Sequence, residues 1–366
     1  MKIYLVGGAV RDEILGLAGN DRDYVVVGSN EKEMLSLGYI KVGKDFPVFL
    51  HPLTKEEYAL ARMEKKIGKG YHGFEFDCIN VTLEQDLARR DLTINAIAKD
   101  LDSNTLIDPF NGIKDLENKV LRHTSQHFKE DPLRILRIAR FSAKFPQFSI
   151  HNETIHLIKD MIQTGELSSL SAPRVWQEIE KSLATSEPAN FFTFLRSIDA
   201  YKYILTGLQS LDDNQWEISL ATLKRSCSLS SNTNIRFASM TYLIEDIKRT
   251  CNQLTLPKDT KNLCLKVIQL HKKIHLVKRI ETNEVLELVK EMGGLKKTNE
   301  FNNILIVYQS INHLDAKYNI ELLLKIQNGL SSIDNKATLK GIKSSAIKKA
   351  IHSKQLSVVN DIINKE

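Results

Sequence analysis

The chain has 366 residues, of which 42% are hydrophobic and 26% charged, an average globular composition that excludes disordered and collagen-like classes. Its length predicts two or three domains rather than one core. The 51 lysines and arginines exceed the 45 aspartates and glutamates by six, a balance compatible with a polyanionic partner.

The first hundred residues alternate strand and helix signals. Runs rich in β-formers, punctuated by Gly, Pro or Asn, predict strands at Lys2–Val6, Asp23–Val27, 40–50 and 57–61. A helix is predicted at 31–37, and one or two helices at 82–98, where Thr82 is a cap three residues before Gln85. This half of the chain is therefore predicted to be α/β.

Gly7 and Gly8 directly follow the first predicted strand, and Arg11 comes one helical turn later. Glycines at such a turn let a phosphate group approach backbone N–H groups. A tight turn in which glycine only relieves strain is the commoner explanation of a lone pair. The acidic triplet that follows favours phosphate binding.

Asp21 and Asp23 flank Arg22 at the entry to the second predicted strand. Side chains two residues apart on a strand share a face, so both carboxylates are predicted to point to one spot. Mg²⁺ takes one or two carboxylates together with substrate phosphates, which suits nucleotide chemistry. An isolated triplet of this kind is more often only a charged strand entry.

The segment 89–96 (RRDLTINA) places two arginines, an acid and an amide beside apolar residues. It predicts either a salt-bridged helix surface or an arginine fork that clamps a triphosphate.

Beyond about residue 131 the apolar residues recur at helical spacing, which predicts a nearly all-α remainder. Asp131 and Pro132 predict a helix start, with the aspartate as N-cap and the proline at the first helical position. Arg134, Arg137 and Arg140 recur every three residues, so they predict a row of donors along one helix flank, suited to phosphates or base edges. Polar clusters at 208–214 and 229–234 predict later junctions.

In this order, the segments resemble the class II tRNA nucleotidyltransferases, the CCA-adding enzymes of the polymerase-β superfamily. The resemblance runs through stretches 7–12, 21–23, 89–96, 108–122, 130–140 and 171–178 (SAPRVWQE). Ordered motifs over about half the chain are far more specific than any one motif alone.

The resemblance implies an α+β protein, with a polymerase-β-like nucleotidyltransferase head of mixed sheet and helices followed by an all-α neck, body and tail. It implies a catalytic head at 1–122, a helical neck that recognises the nucleotide base at 123–205, and a helical body and tail that bind tRNA at 206–366.

The family's roles carry over to the motif residues present here. Asp21 and Asp23 match the catalytic carboxylates that hold Mg²⁺ against the triphosphate and the primer 3′-hydroxyl. Nucleotide-binding positions are matched by Gly8, Arg11, Arg90, Arg137 and Arg140. Asp131 and Arg134 match the pair that reads the incoming base in place of a template.

The implied activity is the addition of CCA to the 3′ end of tRNA from CTP and ATP, with release of pyrophosphate by two-metal phosphoryl transfer. A poly(A) polymerase, a CC-only or A-only enzyme and a non-catalytic tRNA-binding protein stay open as alternatives. The stretch 62–76, which contains Gly68, Gly70 and Gly73, resembles the family's flexible loop that permits the switch to A addition. It favours full CCA addition, and the intact Asp21 and Asp23 favour an enzyme.

Location and partners follow from what is missing from the sequence. No run approaches the roughly 18 apolar residues that span a bilayer, and the N-terminus does not resemble a signal peptide. Four scattered cysteines without a CxxC pair predict reduced, buried thiols and a cytoplasmic protein.

No histidine precedes an aspartate, so the His-Asp phosphohydrolase of longer relatives is not expected. The expected partners are tRNA, CTP and ATP, with no membrane and no protein partner. The last 36 residues hold seven lysines, predicted as either a solvated face or a phosphate-contacting patch.

Overall fold

The structure, a computed structural model, describes residues 1–18, 22–42, 48–66, 74–78, 80–312, 316–334 and 346–365. The chain divides into two compact units, Met1–Ile204 and Leu205–Glu366. The finer division into head, neck, body and tail stays a prediction. Within the described ranges, no helix combines the length and apolar character needed to cross a membrane.

The first unit is built on a mixed β-sheet. The strands are β1 (Lys2–Val6), β2 (Asp23–Val27), β3 (Ile40–Val42), β4 (Val48–Leu50), β5 (Glu57–Leu60), β6 (Met63–Lys66), β7 (Phe74–Asp77), β8 (Ala98–Asp100), β9 (Leu106–Ile107), β10 (Val120–Leu121) and β11 (Ser149–Ile150). Seven of them form one sheet in the order β3-β4-β5-β2-β1-β8-β9. Only β2 and β5 run parallel in it; its other neighbours are antiparallel. The predicted α+β class is confirmed.

Nine helices of the described residues belong to the first unit. They are α1 (Gly8–Ile14), α2 (Glu31–Ser36), α3 (Leu83–Ala88), α4 (Gly112–Glu117), α5 (Leu133–Lys144), α6 (Asn152–Gln163), α7 (Ala172–Leu183), α8 (Ala189–Ser197) and α9 (Tyr201–Ile204). Helix α3 begins with the predicted capping box, because Thr82 accepts from the Gln85 backbone N–H while the Gln85 side chain accepts from the Thr82 N–H. Asn30 caps α2 in a similar way through the Glu33 N–H.

Two predicted elements differ from the structure. The strand expected at 40–50 is two strands, β3 and β4, which pair antiparallel with each other; residues 43–47 lie outside the described ranges. The helical prediction for 82–98 is wrong beyond Ala88, where a short 3₁₀ helix (Thr93–Asn95) leads into β8. This apolar stretch is extended because Ala98 pairs with Val6 of β1 in the core of the sheet.

The stretch 62–76, expected as a flexible loop, contains β6 and β7, which pair antiparallel with each other. The alternation of apolar and charged residues at 74–77 (FEFD) suits a strand. Gly68, Gly70 and Gly73, on which the loop prediction rested, lie outside the described residues.

The apolar core of the sheet fixes the strand register, and the register brings the acidic residues Asp23 and Glu57 side by side at the strand ends. Tyr4, Val6 and Val25 pack in one apolar cluster with Leu87 of α3. Fully burying such side chains contributes roughly 1.5–3 kcal/mol each, which fixes the strand register. In that register Val6 lies opposite Asp23, which in turn lies beside Glu57 on β5.

The second unit is all α in its described residues, as predicted. Its helices are α10 (Asp213–Leu229), α11 (Thr233–Thr241), α12 (Ile247–Gln253), α13 (Lys258–His275), α14 (Thr282–Glu291), α15 (Thr298–Ile311), α16 (Ala316–Ser331) and α17 (Ile347–Ile363). Asp212 and Asn232 cap α10 and α11 inside the two predicted junctions. Large aromatic side chains, among them Trp216 and Tyr308, fill its core.

All four cysteines lie within the described residues, and none of them is in a disulfide. Cys251 and Cys264 are buried, as predicted, whereas Cys78 and Cys227 are half-buried.

Candidate active site

A cleft of about 770 Å³ opens in the first unit where the ends of β1, β2 and β5 face α1, α5 and α7. Ten basic and five acidic side chains are among the described residues that line it. Eight of the predicted site residues meet there: Gly8, Arg11, Asp23, Arg90, Asp131, Arg134, Arg137 and Arg140. The ninth, Asp21, lies outside the described residues. The cleft is therefore strongly electropositive, with a carboxylate group at one wall.

That wall is formed by strand ends. Asp23 begins β2 and Glu57 begins β5, and the two are direct neighbours because these strands pair in parallel register. Asp23 and Glu57 are both exposed, so their carboxylates are accessible to a ligand. Among the described residues no three His, Cys, Asp or Glu side chains form a metal-binding group. The donor set is carboxylate oxygen, which fits a hard divalent cation.

The turn between β1 and α1 depends on glycine. Gly7 adopts a left-handed conformation with φ of 72°, and a Cβ placed there would lie 2.9 Å from Nη1 of Arg90. Any side chain at this position would both strain the backbone and displace that arginine. Gly8 then begins α1 and leaves the turn open towards Arg11.

Arg11 is buried and held from several sides. Its Nη1 donates to the Asn95 side-chain oxygen, its Nε and Nη2 contact Asp12, and its guanidinium lies 5.3 Å from the ring centroids of both Phe141 and Phe145. A cation between two rings and two oxygens has one orientation. Its charge is therefore fixed at the wall of the cleft.

Asp86 holds the next two arginines. Its buried carboxylate contacts Nη2 of Arg89 at 2.7 Å and Nη2 of Arg90 at 3.5 Å. Burial lowers the pKa of Arg90, and the charges of Asp86 and Asp23 oppose that effect. The Nε of Arg90 is buried and has no hydrogen-bond partner among the described residues. An orphaned donor in a basic cleft is suited to an anionic ligand.

Asp91 organises the centre of the site. Its carboxylate accepts from Nε of Arg137 at 2.8 Å, from Nδ2 of Asn95 at 2.9 Å and from the Leu92 backbone N–H. Burial raises the pKa of Asp91, but the Arg137 charge and these hydrogen bonds outweigh it and hold the pKa well below its ordinary value. The same contact raises the pKa of Arg137.

Asp131 differs slightly from its predicted role as N-cap. Helix α5 begins at Leu133 with Pro132 as its N-cap, one residue later than expected. The Asp131 carboxylate still serves the helix start, since Oδ1 accepts from the Leu133 N–H at 3.0 Å. Its other oxygen, Oδ2, accepts from Nη2 of Arg174 on α7 at 2.7 Å.

The arginine row of α5 faces the cleft, as the three-residue spacing predicts. Arg134 donates from its two Nη atoms to the backbone carbonyls of His127 and Arg89. Arg140 donates from Nε to Glu178 at 2.6 Å, and its guanidinium lies 4.7 Å from the Phe141 ring centroid.

Other cleft residues were not selected as site residues from the sequence: Glu57, Arg62, Lys144, Arg174 and Lys181. Glu57 carried no signal, because only the crossover that puts β5 beside β2 brings it to Asp23. Arg174 lies in the stretch 171–178 that supports the resemblance, but sequence spacing does not show that it meets Asp131.

Two family models match the chain. The one described as "Poly A polymerase head domain" matches residues 3–122, and the one described as "Probable RNA and SrmB- binding site of polymerase A" matches residues 147–211.

Curated relatives match over most or all of their length. A protein named "Multifunctional CCA protein" from Vibrio campbellii is 40% identical, with 100% of each chain covered. One of the same name from Methylobacillus flagellatus is 43% identical over 83% of this chain and 82% of its own length.

Solved structures share the fold. "The structure of CCA-adding enzyme apo form II" matches with a TM-score of 0.79 and 25% identity, covering 100% of this chain and 90% of that one. "Thermotoga maritima CCA-adding enzyme complexed with tRNA_CCA" matches with a TM-score of 0.75 and 23% identity, covering 100% and 91%.

Proposed function

This chain belongs to the family of the multifunctional CCA proteins and CCA-adding enzymes, and from that premise we propose how its cleft works. It is a tRNA nucleotidyltransferase that adds C, C and A to the 3′ end of tRNA without a nucleic-acid template, using CTP and ATP and releasing pyrophosphate. The observation that carries the mechanism is the cleft, in which a carboxylate at the strand ends faces a row of arginines.

The reaction class uses a divalent metal ion. We assign Mg²⁺ to this role, with Asp21 and Asp23 as the residues that hold it. When bound, the ion stabilises negative charge on the attacking and leaving oxygens. Glu57 adds a further carboxylate to the same wall, so the negative charge there is matched to a cation and not to a phosphate.

The nucleotide triphosphate is bound by the opposite, basic wall. Its proposed ligands are Gly8, Arg11, Arg90, Arg137 and Arg140. Arg11 and Arg137 are oriented before the nucleotide arrives, by Asn95 and Asp91 respectively. Donors fixed in advance need no reorganisation during the reaction, which is the main source of electrostatic catalysis. A phosphate oxygen also supplies a partner for the Nε of Arg90, which has none among the described residues.

Asp131 and Arg134 select the base. A carboxylate accepts from the exocyclic amino group that cytosine and adenine share, while a guanidinium donates to the adjacent ring nitrogen. Uracil and guanine present the opposite polarity at both positions. The carbonyls of His127 and Arg89 fix the plane of the Arg134 guanidinium. A guanidinium with a fixed orientation can recognise the base in place of a template nucleotide.

The chemical step is an in-line attack of the tRNA 3′-hydroxyl oxygen on the α-phosphorus. The new bond joins this oxygen to phosphorus, the bond from phosphorus to the bridging oxygen breaks, and pyrophosphate leaves with the electron pair. No covalent enzyme intermediate is needed, since the chain supplies position and charge.

We assign the catalytic head to 1–122, the base-recognising neck to 123–205 and tRNA binding to 206–366. The cytoplasm is the proposed location, because the tRNA, CTP and ATP substrates meet there.

The test is incorporation of labelled CTP and ATP into a tRNA that lacks its CCA end, beside an oligo(A) primer. We expect CC addition from CTP alone, complete CCA with both nucleotides, and no extension of oligo(A). Arrest after CC would identify a partial enzyme, and long A tracts on oligo(A) would identify a poly(A) polymerase. Binding of tRNA without any incorporation in Mg²⁺ would identify a non-catalytic protein.

A further inference from the structure

Arg174 and Glu178, one helical turn apart on α7, contact residues that are proposed to bind the nucleotide. Arg174 donates from Nη2 to Oδ2 of Asp131 at 2.7 Å. Glu178 accepts from Nε of Arg140 at 2.6 Å. Residues four apart lie on the same helix face, so one face of α7 contacts both Asp131, just before α5, and Arg140 within α5.

The contact to Asp131 determines how that carboxylate is presented. Its Oδ1 already accepts from the Leu133 N–H, so the carboxylate has one donor on each oxygen. Each carboxylate oxygen accepts up to two hydrogen bonds, which leaves acceptor capacity in defined directions. Two fixed donors on opposite oxygens prevent the group from rotating.

Contacts other than that of Arg174 also hold α7 in place. Val175, Ile179 and Leu183 are buried on this helix, and Glu178 with Arg140 forms a second, largely buried tie to α5. The side chain of Arg174 is 26% exposed, and it lines the cleft. Its position therefore fits the orientation of a cleft residue better than stabilisation of the core.

We propose that Arg174 is a positioning residue, which fixes the orientation of Asp131 and thereby contributes to the selection of cytosine and adenine over uracil and guanine. This proposal rests on the proposed reading of the base by Asp131 and Arg134. A carboxylate that is free to rotate still accepts a hydrogen bond from the amino group of cytosine or adenine. It no longer holds an acceptor oxygen against the carbonyl oxygen that uracil and guanine carry at the same place, so these bases are rejected less strongly.

The experiment compares Arg174→Gln and Arg174→Lys with the parent protein. The ratios of kcat/KM for CTP over UTP and for ATP over GTP are measured on tRNA lacking its end, together with the melting temperature. We expect Arg174→Gln to lower both ratios about tenfold or more. A tenfold change corresponds to about 1.4 kcal/mol of lost discrimination between the transition states of the right and wrong nucleotides. Arg174→Lys keeps a donor and a charge and is expected to recover part of the ratio.

Gln177→Ala is the matched control, because Gln177 is exposed on the same helix, makes no described side-chain hydrogen bond and does not line the cleft. It is expected to keep both ratios. A melting temperature that falls while the ratios of Arg174→Gln and Arg174→Lys stay at the parental values would overturn the proposal and make the ion pair structural. An equal loss with all four nucleotides would overturn it as well.

Asp131→Ala separates this proposal from its premise. If Asp131→Ala loses discrimination and the Arg174 variants keep it, the positioning role is wrong and base reading stands. If Asp131→Ala itself keeps discrimination, the base-reading assignment is wrong, and the proposal for Arg174 falls with it.

Discussion

Single carboxylates organise the arginines of the cleft. Asp86 contacts Arg89 and Arg90, and Asp91 contacts Arg137. Each acid holds the guanidinium groups that it contacts in a defined position. The result is a site whose positive charge is oriented before a triphosphate arrives.

Asp23 carries the first prediction. Asp23→Asn is expected to reduce nucleotide incorporation on the order of 1,000-fold or more, because a metal ligand is lost and metal stabilisation of transition-state charge amounts to several kcal/mol. Labelled CTP incorporation in Mg²⁺ measures the loss, and the melting temperature is expected to stay near the parental value because the side chain is exposed.

Asp102→Asn is the control, since Asp102 is exposed on the turn after β8 and does not line the cleft. It should retain full activity. Turnover near the parental rate by Asp23→Asn would remove this residue from the metal site.

Asp91 gives a pH prediction with a defined sign. Its pKa is lower in the folded chain than in the unfolded one, so its stabilisation is fully present above the ordinary aspartate pKa of about 3.9 and is lost as pH falls below that value. Asp91→Asn is expected to destabilise the first unit by about 1–3 kcal/mol at pH 7. Urea unfolding at pH 7 and near pH 3.5 should show the difference from the parent shrinking at the lower pH. A difference that is constant or grows would contradict this assignment.

The strand–turn–helix formed by β1, Gly7 and α1 shows how an element sets the site. Gly7 and Gly16 flank α1 with nearly equal φ values of 72° and 67°. A Cβ at Gly7 would lie against Arg90, whereas a Cβ at Gly16 would contact nothing within 4 Å. An alanine is strained at both positions, but only at Gly7 does its Cβ lie against Arg90, so the kinetic comparison of the two variants reports the displacement of that arginine.

Gly16→Ala is expected to cost about 1–2 kcal/mol of stability, the strain of an alanine at positive φ, and Gly7→Ala is expected to cost more, because φ of 72° with ψ of −130° is a conformation that essentially only glycine adopts. Only Gly7→Ala is expected to raise the KM for CTP and ATP, because it displaces the Arg90 guanidinium. Steady-state kinetics and thermal melting of the two variants test this. Equal KM values for CTP and ATP in the two variants would mean that Arg90 does not contact the nucleotide.

The β6–β7 ribbon is the element proposed to act in the switch from C to A. One base-reading pair serves both nucleotides, so a part outside that pair must change the pocket. Replacing residues 67–73 with an Asn-Gly turn keeps both strands and shortens their connection. We expect CC addition to continue and the terminal A to be lost, as read from product lengths on a gel.

The same Asn-Gly replacement of the exposed turn 101–104 between β8 and β9 is the control and should leave CCA addition complete. A ribbon variant that finishes CCA at the parental rate would contradict the proposal. Equal loss of C and A addition would assign the ribbon a structural role.

At the scale of the whole molecule, the second unit ends in helix α17, which packs on α14 and α16. Val359 is fully buried at this contact, while Lys348, Lys349 and Lys354 are exposed on the same helix. Lys340 and Lys343, which belong to the same lysine-rich stretch, lie outside the described residues. The three exposed lysines are proposed to contact the phosphate backbone of tRNA.

Changing Lys348, Lys349 and Lys354 together to Gln is expected to weaken tRNA binding and to flatten its salt dependence. Each lost phosphate contact removes roughly 0.7–0.9 from the slope of log K against log salt, so the full effect is about 2–3. Filter binding over a range of KCl concentrations measures it. A triple change at the exposed lysines 32, 55 and 114 of the first unit is the charge-matched control, and equal slopes in both variants would leave the α17 lysines as a solvated face.

The sequence by itself determined a first half of strands and helices, a nearly all-α remainder, the core strands β1 and β2, and the arginine row of α5, because these depend on local periodicity and spacing. It also determined the helix caps at Thr82 and Asp131 approximately, since capping requires particular residues next to an apolar run. The family resemblance added the roles of those residues, which periodicity alone does not give.

Only the tertiary structure decided what holds each functional side chain. The partners of Arg140 and Arg137 lie 38 and 46 residues away in the chain, and the neighbour of Asp23 on β5 lies 34 residues away. Sequence spacing predicts which side chains share a face of one element, but contacts between elements depend on sheet order and helix packing. For the same reason the stretch after Asn95 is a strand and not a helix: its apolar residues are buried against β1, and that pairing outweighs local helical preference.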